Sequence, residues 1–370
     1  MSAFDGQFTL GVEEEFQIVS PETRELHSYI SRLIEDGKSV LRERVRAEMH
    51  QSVVEVGTSI CKDVAAVRAE LVEMRGELSR LARKGGMAIV AASTHPLSDW
   101  RTQEITEHPR YHELVGELQE LARANLIFGL HVHVGIKDKD VAIELANQVR
   151  YFLPHLLALT TSSPMWVGYP TGLASTRAHI FKRFPRTGIP DHFESYKQFQ
   201  TFVELLVKTG CIDNGKRIWW DVRVHHIFDT VEVRVCDMPT RIDHTVAIVA
   251  LIQALMGKLY MLYKSNQSWR TYGRSLIEEN KWRAARYGIH GKLIDFGAVE
   301  ERPLKDLVPE LLHLVEEPAA IFGTLKELET IPRILEEGTS ADQQLRVFEQ
   351  SGKNPKAVVD WLIGETMRGV

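Results

Sequence analysis

The chain has 370 residues and carries 45 lysines and arginines against 50 aspartates and glutamates, a formal net charge of -5. A chain of this length can bury a large core, and without a basic stripe it is not expected to bind nucleic acid. The cysteines, Cys61, Cys211 and Cys236, lie far apart with no metal or redox spacing. They indicate reduced thiols in a cytoplasmic protein, and the first residues have no signal-peptide pattern.

The first predicted element, a β-strand over residues 8–19, has one apolar and one acidic face. Its apolar residues alternate with period two and are Leu10, Val12, Phe16 and Ile18. On the opposite face Glu13 and Glu15 place their Cβ atoms about 6 to 7 Å apart, a spacing that neighbouring divalent ions can bridge. A solvated strand face is the alternative. Glu14 interrupts the apolar face, so we expect it to form a salt bridge at a sheet edge or in a subunit contact.

Residues 26–44 are predicted to form a surface helix, and strand character returns in residues 45–60. Glu48 and Glu55 lie in this second strand, and their odd spacing would place them on opposite faces of a flat strand. A bulge or bend between them would be needed to turn both carboxylates towards one site.

Several helices are predicted from apolar residues at spacings of three and four. They cover residues 62–84, 110–126, 139–161 and 191–208. The clearest of them stops at Gly85-Gly86, and Pro154 is expected to kink the third. A short buried strand is predicted over residues 87–92.

Two later strands repeat the two-faced pattern of the first. In residues 128–136 His131 and His133 alternate with apolar residues, and in residues 230–237 Glu232 and Arg234 alternate with valines. If the three strands belong to one antiparallel sheet, its polar face gathers these side chains with the first carboxylates. A hydrogen-bonded structural role is the alternative for either histidine. For Arg234, and for Arg223 in the segment before it, the alternative is a surface salt bridge.

The C-terminal third, from about residue 242 to residue 370, is predicted to be helical. Residues 245–263 approach the length of a bilayer span, but Gln253 and Lys258 interrupt them. A single such segment in a chain otherwise patterned for water indicates a buried core helix and no membrane partner. No linker divides the chain, so residues 1–370 are expected to form one domain.

The sequence contains no phosphate-binding loop. Gly37-Lys38-Ser39 ends like one, but Arg32 stands where the first glycine is required, and no Gly-x-Gly-x-x-Gly occurs. Any phosphate would therefore be held by arginines and by metal ions on carboxylates. The His131-Val132-His133 pair also fits an amidohydrolase-type hydrolase, but that enzyme needs a βα barrel with the pair on its first strand.

Five motifs together resemble the carboxylate-amine ligases of the glutamate-cysteine ligase type 2 family. They are Gly11-Val12-Glu13-Glu14-Glu15-Phe16, the pair Glu48 and Glu55, Gly129-Leu130-His131-Val132-His133-Val134-Gly135, Ser162-Ser163-Pro164 with Thr171-Gly172-Leu173-Ala174-Ser175-Thr176-Arg177, and Thr230-Val231-Glu232-Val233-Arg234-Val235-Cys236-Asp237. They extend over nearly the whole chain. The family is similar to the glutamine synthetase superfamily, which implies an α+β fold: an antiparallel sheet with a concave active-site face and helices on the other face.

The resemblance implies ATP and Mg²⁺ as cofactors and small-molecule carboxylate and amine substrates. ATP would phosphorylate the carboxylate, and the amine would displace phosphate to give an amide. The implied metal ligands are Glu13, Glu15, Glu48, Glu55, His131 and Glu232. Catalytic roles fall to Arg223, Glu232 and Arg234, and Arg177, Arg223 and Arg234 would contact the nucleotide. The residue patterns single out Glu13, Glu15, His131 and Glu232 without the resemblance, but they do not bring Glu48 and Glu55 to one face.

The family's named reaction joins the γ-carboxylate of glutamate to the amine of cysteine. Two alternatives to it stay open. One is a ligase for another acid and amine. The other is a nucleotide-binding regulatory protein without turnover, which the intact carboxylates and arginines argue against. We further expect a homodimer, from Glu14, from the apolar helix and from the resemblance.

The segment over residues 162–192 holds many glycines and prolines and shows no period. A structureless run of about 30 residues inside a compact domain is usually functional or disordered. Its rings and cations suit an adenine or a phosphate chain, so we expect a lid that orders over nucleotide or substrate. Arg177 is the residue expected to contact phosphate, with a plain surface arginine as the alternative.

Overall fold

The computed structural model describes residue 4, residues 7–37 and residues 44–370. Lys38, Ser39 and the 38–43 part of the predicted first helix lie outside the described residues. In chain order the strands are β1 (Leu10–Val19), β2 (Val45–Ala47), β3 (Val53–Gly57), β4 (Ala88–Val90), β5 (Leu130–Gly135), β6 (Met165–Trp166), β7 (Tyr169–Pro170), β8 (Thr187–Gly188), β9 (Trp219–Trp220), β10 (Val222–Val224), β11 (Thr230–Val233), β12 (Lys292–Asp295) and β13 (Glu300–Pro303). The α-helices are α1 (Ile30–Gly37), α2 (Val64–Lys84), α3 (Pro109–Leu118), α4 (Glu120–Arg123), α5 (Lys139–Val149), α6 (Leu153–Thr160), α7 (Thr176–Phe181), α8 (Tyr196–Lys208), α9 (Ile242–Lys264), α10 (Arg274–Tyr287), α11 (Leu304–Phe322), α12 (Leu325–Leu328), α13 (Thr330–Glu337), α14 (Ser340–Gln350) and α15 (Pro355–Thr366).

Within the described residues the main sheet has seven strands in the order β10-β11-β5-β1-β3-β2, with β4 also paired to β1. Every pairing within it is antiparallel. The predicted α+β fold with an antiparallel sheet is therefore confirmed. An open antiparallel sheet also excludes the βα barrel on which the hydrolase alternative depended.

The apolar face of the sheet is covered by helices, as predicted. Along β1 the alternating apolar side chains are at most 1% exposed, because α2 packs against β1 and β4, α5 against β10 and β11, and α9 against β5. The helix predicted over residues 62–84 is α2, which begins after Asp63, whose side chain accepts a hydrogen bond from the Ala66 backbone N–H. Because the apolar side chains of α2 cover this face of the sheet, the polar side chains lie on the opposite face.

Glu14 is paired inside the same chain, which corrects the expectation of a sheet edge or a subunit contact. β1 has neighbours on both sides, and α2 brings Arg75 beneath it. Both side chains of the pair are fully buried, and the Arg75 Nε atom lies 3.0 Å from Glu14 Oε2. Glu14 therefore no longer argues for a dimer.

α9 is the core helix of the C-terminal third. Among the described residues it is the one helix whose length and hydropathy would suit a membrane span, and 83% of that window is buried inside the protein. Helices α2, α5, α11, α12 and α13 surround it, so its apolar surface is used within the chain and does not call for a subunit contact. One hydrophobic core cluster contains residues from Phe4 to Ile334, which supports a single domain. The single domain and the homodimer stay predictions.

Three further sequence predictions need correction. Residues 45–60 form a hairpin of β2 and β3 rather than one strand, with Arg46 opposite Glu55. Residues 139–161 divide into α5, a 3-10 turn over Arg150–Phe152 and α6, because Pro154 occupies the first turn of a new helix. Residues 162–192 are not structureless, since they contain β6, β7, α7 and β8.

Candidate active site

The polar face of the sheet carries one continuous row of acidic and basic side chains. On β1 Glu13 lies opposite His131 of β5, and Glu15 lies opposite Glu55 of β3. On β11 Glu232 lies opposite both His133 of β5 and Arg223 of β10. Directly opposite residues in antiparallel strands have Cβ atoms about 4.5 to 5.5 Å apart, so strand pairing by itself brings these groups into contact.

Glu13 lies at the centre of the row. Its Oε2 atom is 3.2 Å from His131 Nδ1 and 3.8 Å from His133 Nε2. Burial raises the pKa of Glu13, but hydrogen bonds with both imidazoles outweigh burial and hold this pKa well below its usual value. Burial, with Arg234 nearby, lowers the pKa of His131 to about 4. Glu13 is thus a carboxylate beside a neutral imidazole, which is a typical pair of metal ligands.

Two groups of possible ligands share Glu13. One is Glu13, Glu55 and His131, the other is Glu13, His133 and Glu232, and within each group the ligand atoms lie within 4.8 Å of one another. Oxygen atoms dominate both groups, which suits a hard divalent cation such as Mg²⁺. The residues present therefore fit the ions that the resemblance implies.

A second carboxylate cluster, of Glu15, Glu48 and Glu55, adjoins Glu13. Burial, followed by repulsion from Glu15, raises the pKa of Glu48 to about 7. Burial, followed by repulsion from Glu13 and Glu48, raises the pKa of Glu55 well above its usual value. Glu48 reaches this cluster because the β2–β3 hairpin turns the chain back, which the sequence pattern did not show. Such crowded carboxylates require protons or cations nearby.

Glu232 connects the ligand groups to two arginines. Arg223 donates from Nε to Glu232 Oε2 at 2.7 Å, and Arg234 donates from Nη1 to Glu232 Oε1. Burial raises the pKa of Glu232, but Arg234 and then Arg223 lower it well below its usual value. The Nε atom of Arg234 is buried and has no hydrogen-bond partner among the described residues.

Arg177 is buried beside the row rather than exposed on a lid. It donates to the backbone oxygens of Val235 and Arg234 at 3.2 and 3.1 Å, whereas its own Nε has no partner in the described part of the chain. Its helix is anchored through Asp237, which accepts hydrogen bonds from Ser163 and Ser175. Because Arg177 is 4% exposed, the plain surface arginine is excluded, and the hydrogen bonds to Asp237 hold Ser163 and Ser175 beside the sheet.

Two cavities open at opposite ends of the row. The first, called the α3 cavity, has a volume of about 130 Å³. Its charged and polar lining near the sheet includes Glu15, Glu48, His131, Arg177 and Arg234. Its apolar and aromatic lining includes Tyr111, Leu114, Phe181, Phe184 and Trp219. The β1 cavity, of about 620 Å³, is lined by Glu13, His133 and the start of β1, with Ile60, Ile227 and Phe228 among its residues. The ligand groups lie between the two cavities.

The structure brings together every residue that the sequence named for the site. These are Glu13, Glu15, Glu48, Glu55, His131, Arg177, Arg223, Glu232 and Arg234. Sequence reasoning gave no role to His133, although it shares a strand face with His131 and lies 4.0 Å from Glu232. It also missed Arg46, whose Nη1 lies 3.5 Å from Glu55 and 3.7 Å from Glu13; its position opposite Glu55 becomes visible only with the hairpin.

Known proteins are similar to this chain in sequence and in fold. A family model described as glutamate-cysteine ligase family 2 matches residues 9–360. A protein from Sorangium cellulosum (strain So ce56), named "Putative glutamate--cysteine ligase 2", is 64% identical over 368 residues, 99% of this chain and 98% of its own. These matches extend over nearly the full length of the sequence.

Two solved structures resemble the fold at low sequence identity. A bifunctional glutathione synthetase from Pasteurella multocida has a TM-score of 0.71 and 16% identity, with 99% of this chain and 53% of that chain covered. This chain therefore spans about half the length of the Pasteurella protein. A glutamate-cysteine ligase from Francisella tularensis, solved in complex with AMP, has a TM-score of 0.69 and 15% identity over 98% of this chain and 90% of its own.

Proposed function

Because the chain belongs to glutamate-cysteine ligase family 2 and is a ligase, we propose that it forms an amide from a carboxylate and an amine at the expense of ATP. The intermediate is an acyl phosphate. The family's name gives glutamate and cysteine as the first pair to consider. A different acid or amine on the same machinery is the alternative within this class.

The observation that carries the proposal is the sharing of Glu13 between two groups of oxygen and imidazole ligands. Bound Mg²⁺ would neutralise phosphate charge and orient the phosphoryl group for transfer. Glu13, Glu15, Glu48, Glu55, His131 and Glu232 would hold the ions. The distances of His133 to Glu13 and Glu232 support including it in the proposed ligand set.

The arginines supply the remaining positive charge. Arg234 and Arg223 are fixed by Glu232, so they need no reorganisation when negative charge develops on the transferred group. The Nε atoms of Arg177 and Arg234 are buried and have no hydrogen-bond partner among the described residues, and both arginines line the α3 cavity. We assign both to the binding of phosphate or of the substrate carboxylate.

The two cavities provide separate entries for nucleotide and acid. Phosphoryl transfer places the attacking and leaving oxygens roughly in line, on opposite sides of phosphorus. The larger β1 cavity suits the nucleotide, and the α3 cavity on the other side of Glu13 suits the acid. The amine then attacks the acyl carbon, and phosphate leaves.

The test is release of phosphate from ATP with Mg²⁺, measured with and without glutamate and cysteine and then against a panel of acids and amines. We expect release to depend on an acid and on Mg²⁺, with an amide as product. Saturable nucleotide binding without turnover on any acid and amine pair would favour the regulatory alternative. A cytoplasmic location and a dimer stay predictions, to be checked by fractionation and light scattering.

A further inference from the structure

Gly129 precedes β5 and is bonded to the chain on both sides of it. Its N–H donates to Glu15 Oε2 at 2.6 Å, and its carbonyl oxygen accepts from the Glu15 N–H at 3.2 Å. On the other side it pairs with Asp237, which follows β11. Because side chains alternate along a strand, a side chain on this residue would project from the polar face, where His131 lies.

Arg177 occupies the space where that side chain would lie. A Cβ atom added to Gly129 would be 2.5 Å from Arg177 Nη2 and 3.2 Å from Arg177 Cζ, well inside the distance of about 3.5 Å at which non-bonded heavy atoms pack. Gly11, on the neighbouring strand β1, shows the contrast, since its Cβ would meet His133 Cβ at 3.6 Å. A glycine weakens a strand and often marks the close approach of another group, which at Gly129 is a guanidinium.

The guanidinium of Arg177 is held where it lies and cannot simply turn aside. The residue is 4% exposed, and its Nη1 and Nη2 atoms donate to the backbone oxygens of Val235 and Arg234 at 3.2 and 3.1 Å. Its Nη1 atom also lies 3.8 Å from Asp237 Oδ1. A side chain on Gly129 would therefore have to break these hydrogen bonds or displace the chain that leads into β5.

We propose that Gly129 is a positioning residue, whose missing side chain sets how closely the Arg177 guanidinium lies against the sheet. The inference rests on the proposed function, which assigns Arg177 to phosphate or the substrate carboxylate and Glu15 and His131 to Mg²⁺. These three side chains line the α3 cavity together. A charge that stabilises a reacting group must be in place before negative charge develops on that group, so Gly129 acts on the reaction through Arg177.

Gly129→Ala adds the one methyl group that this contact excludes. The backbone of Gly129 does not have a left-handed φ, so it accepts alanine, and its N–H can still donate to Glu15. We expect kcat/KM for acid-dependent phosphate release to fall by about 100-fold, the cost of a misplacement of about 1 Å. The matched control is Gly364→Ala on α15, where an added Cβ would meet no described atom within 4 Å; it should stay within about twofold of wild type.

His131 offers a competing explanation, because the same Cβ atom would lie 3.1 Å from its Nε2 atom. Displacement of His131, a proposed metal ligand, would weaken Mg²⁺ binding, whereas displacement of Arg177 would not. The rise in Tm with increasing Mg²⁺ alone separates the two explanations and needs no turnover. In Gly129→Ala we expect the Mg²⁺ concentration at half of this rise to increase by no more than about twofold.

Arg177→Lys gives the decisive comparison, because lysine keeps the charge but lacks the Nη2 atom that the added Cβ would meet. Residues in contact give non-additive effects, whereas distant, independent residues give additive ones. In the Arg177→Lys background we expect Gly129→Ala to lower kcat/KM by about threefold or less, rather than by about 100-fold. Denaturation of wild type, the two single variants and the double variant confirms that the proteins compared are folded.

Three outcomes would overturn the inference. They are near-normal turnover of Gly129→Ala, an equal loss in both Arg177 backgrounds, and a clearly weaker Mg²⁺ response. Should Gly129→Ala fail to fold, the double variant decides: folding in the Arg177→Lys background supports the contact, and failure in both backgrounds overturns it. A wild-type chain without acid-dependent phosphate release is a different result, because it refutes the proposed function while the denaturation of the four proteins still tests the contact.

Discussion

Two buried carboxylate-arginine clusters lie on opposite faces of the same sheet. On the apolar face Arg75 gives Nε and Nη2 to Glu14, and its other donors go to the backbone oxygens of Thr240 and Thr366 and to the Thr245 hydroxyl. On the polar face Glu232 accepts from Arg223 and Arg234, but the Arg234 Nε atom has no partner in the described structure.

The difference distinguishes a structural ion pair from a ligand site. An arginine has five N–H donors, and Arg75 uses all of them within the chain, so a ligand has nothing to bind. The polar-face cluster has an unpaired Arg234 Nε atom among the described residues and crowded carboxylates beside two cavities, as expected of a site that binds cations. Both clusters bury a carboxylate against a guanidinium, and the completeness of the arginine's hydrogen bonds is what separates them.

The largest effect on stability is expected from Arg75→Met. It leaves Glu14 buried without a partner, which costs about 3 to 5 kcal/mol of unfolding free energy. Chemical denaturation measures this loss. The double variant Glu14→Leu with Arg75→Met removes both charges and should regain most of it; a double variant as unstable as the single one would contradict the interpretation of a closed pair.

Glu13→Gln and Glu15→Gln should act on turnover rather than on folding. Each removes charge from the site without opening the core, so we expect kcat to fall by about 10²-fold to 10³-fold and unfolding free energy to change by about 1 kcal/mol or less. Steady-state phosphate release and denaturation are measured on the same preparations. Glu22→Gln, at an exposed glutamate, is the control, and near-normal turnover with saturating Mg²⁺ would exclude Glu13 and Glu15 from the site.

How much of the site the sequence predicts depends on strand alternation. Glu13, Glu15, His131 and Glu232 could be found because each alternates with apolar residues within its own strand, and strand pairing then aligns them. Glu48 could not be placed by alternation, since its position depends on the turn between β2 and β3.

Contacts between residues distant in sequence were beyond pattern analysis. A salt bridge was expected for Glu14 because it interrupts an apolar strand face. Its partner Arg75 lies 61 positions away, so the local sequence could not identify it. Likewise the hydrogen bonds from Ser163 and Ser175 to Asp237 order a segment whose composition predicts a loop. Glycine and proline content predicts the conformation of a segment in isolation, and tertiary hydrogen bonds can override that preference.

A buried histidine in the core should give a smaller, pH-dependent effect on stability. His155 packs against Tyr151 and Phe152 in the core, and burial lowers its pKa to about 4. The unfolded chain has a histidine pKa of about 6.5, so the stabilisation from the neutral ring is complete above that pH and is lost as pH falls towards 4.

Between pH 7 and pH 5 the loss is about 2 kcal/mol for this one residue, out of about 3 kcal/mol in full at lower pH. Denaturation at pH 7 and pH 5 measures it. His155→Phe should reduce the difference between the two pH values, whereas His313→Asn, at a side chain that is 86% exposed, should not. An unchanged pH difference in His155→Phe would show that other groups, such as the buried His50 and His95, account for the acid sensitivity.

The smallest effect is expected where an exposed cation touches the open cluster. Arg46 has a 63% exposed side chain and lies within 4 Å of Glu13 and Glu55, two of the proposed metal ligands. Arg46→Gln should change unfolding free energy by about 1 kcal/mol or less, since exposed ion pairs contribute little. Because the guanidinium partly neutralises carboxylates that would otherwise hold Mg²⁺, its removal should tighten Mg²⁺ binding by about fivefold. This factor is the equivalent of about 1 kcal/mol between unit charges near 4 Å in water.

The readout is the rise in Tm with increasing Mg²⁺. The rise in Arg46→Gln is compared with that of wild type and with that of Glu13→Gln, in which it should be weakened. A weaker Mg²⁺ response in Arg46→Gln would show instead that the arginine holds Glu13 and Glu55 in position for the ion, and the cluster would then be less open than its unpaired donors indicate.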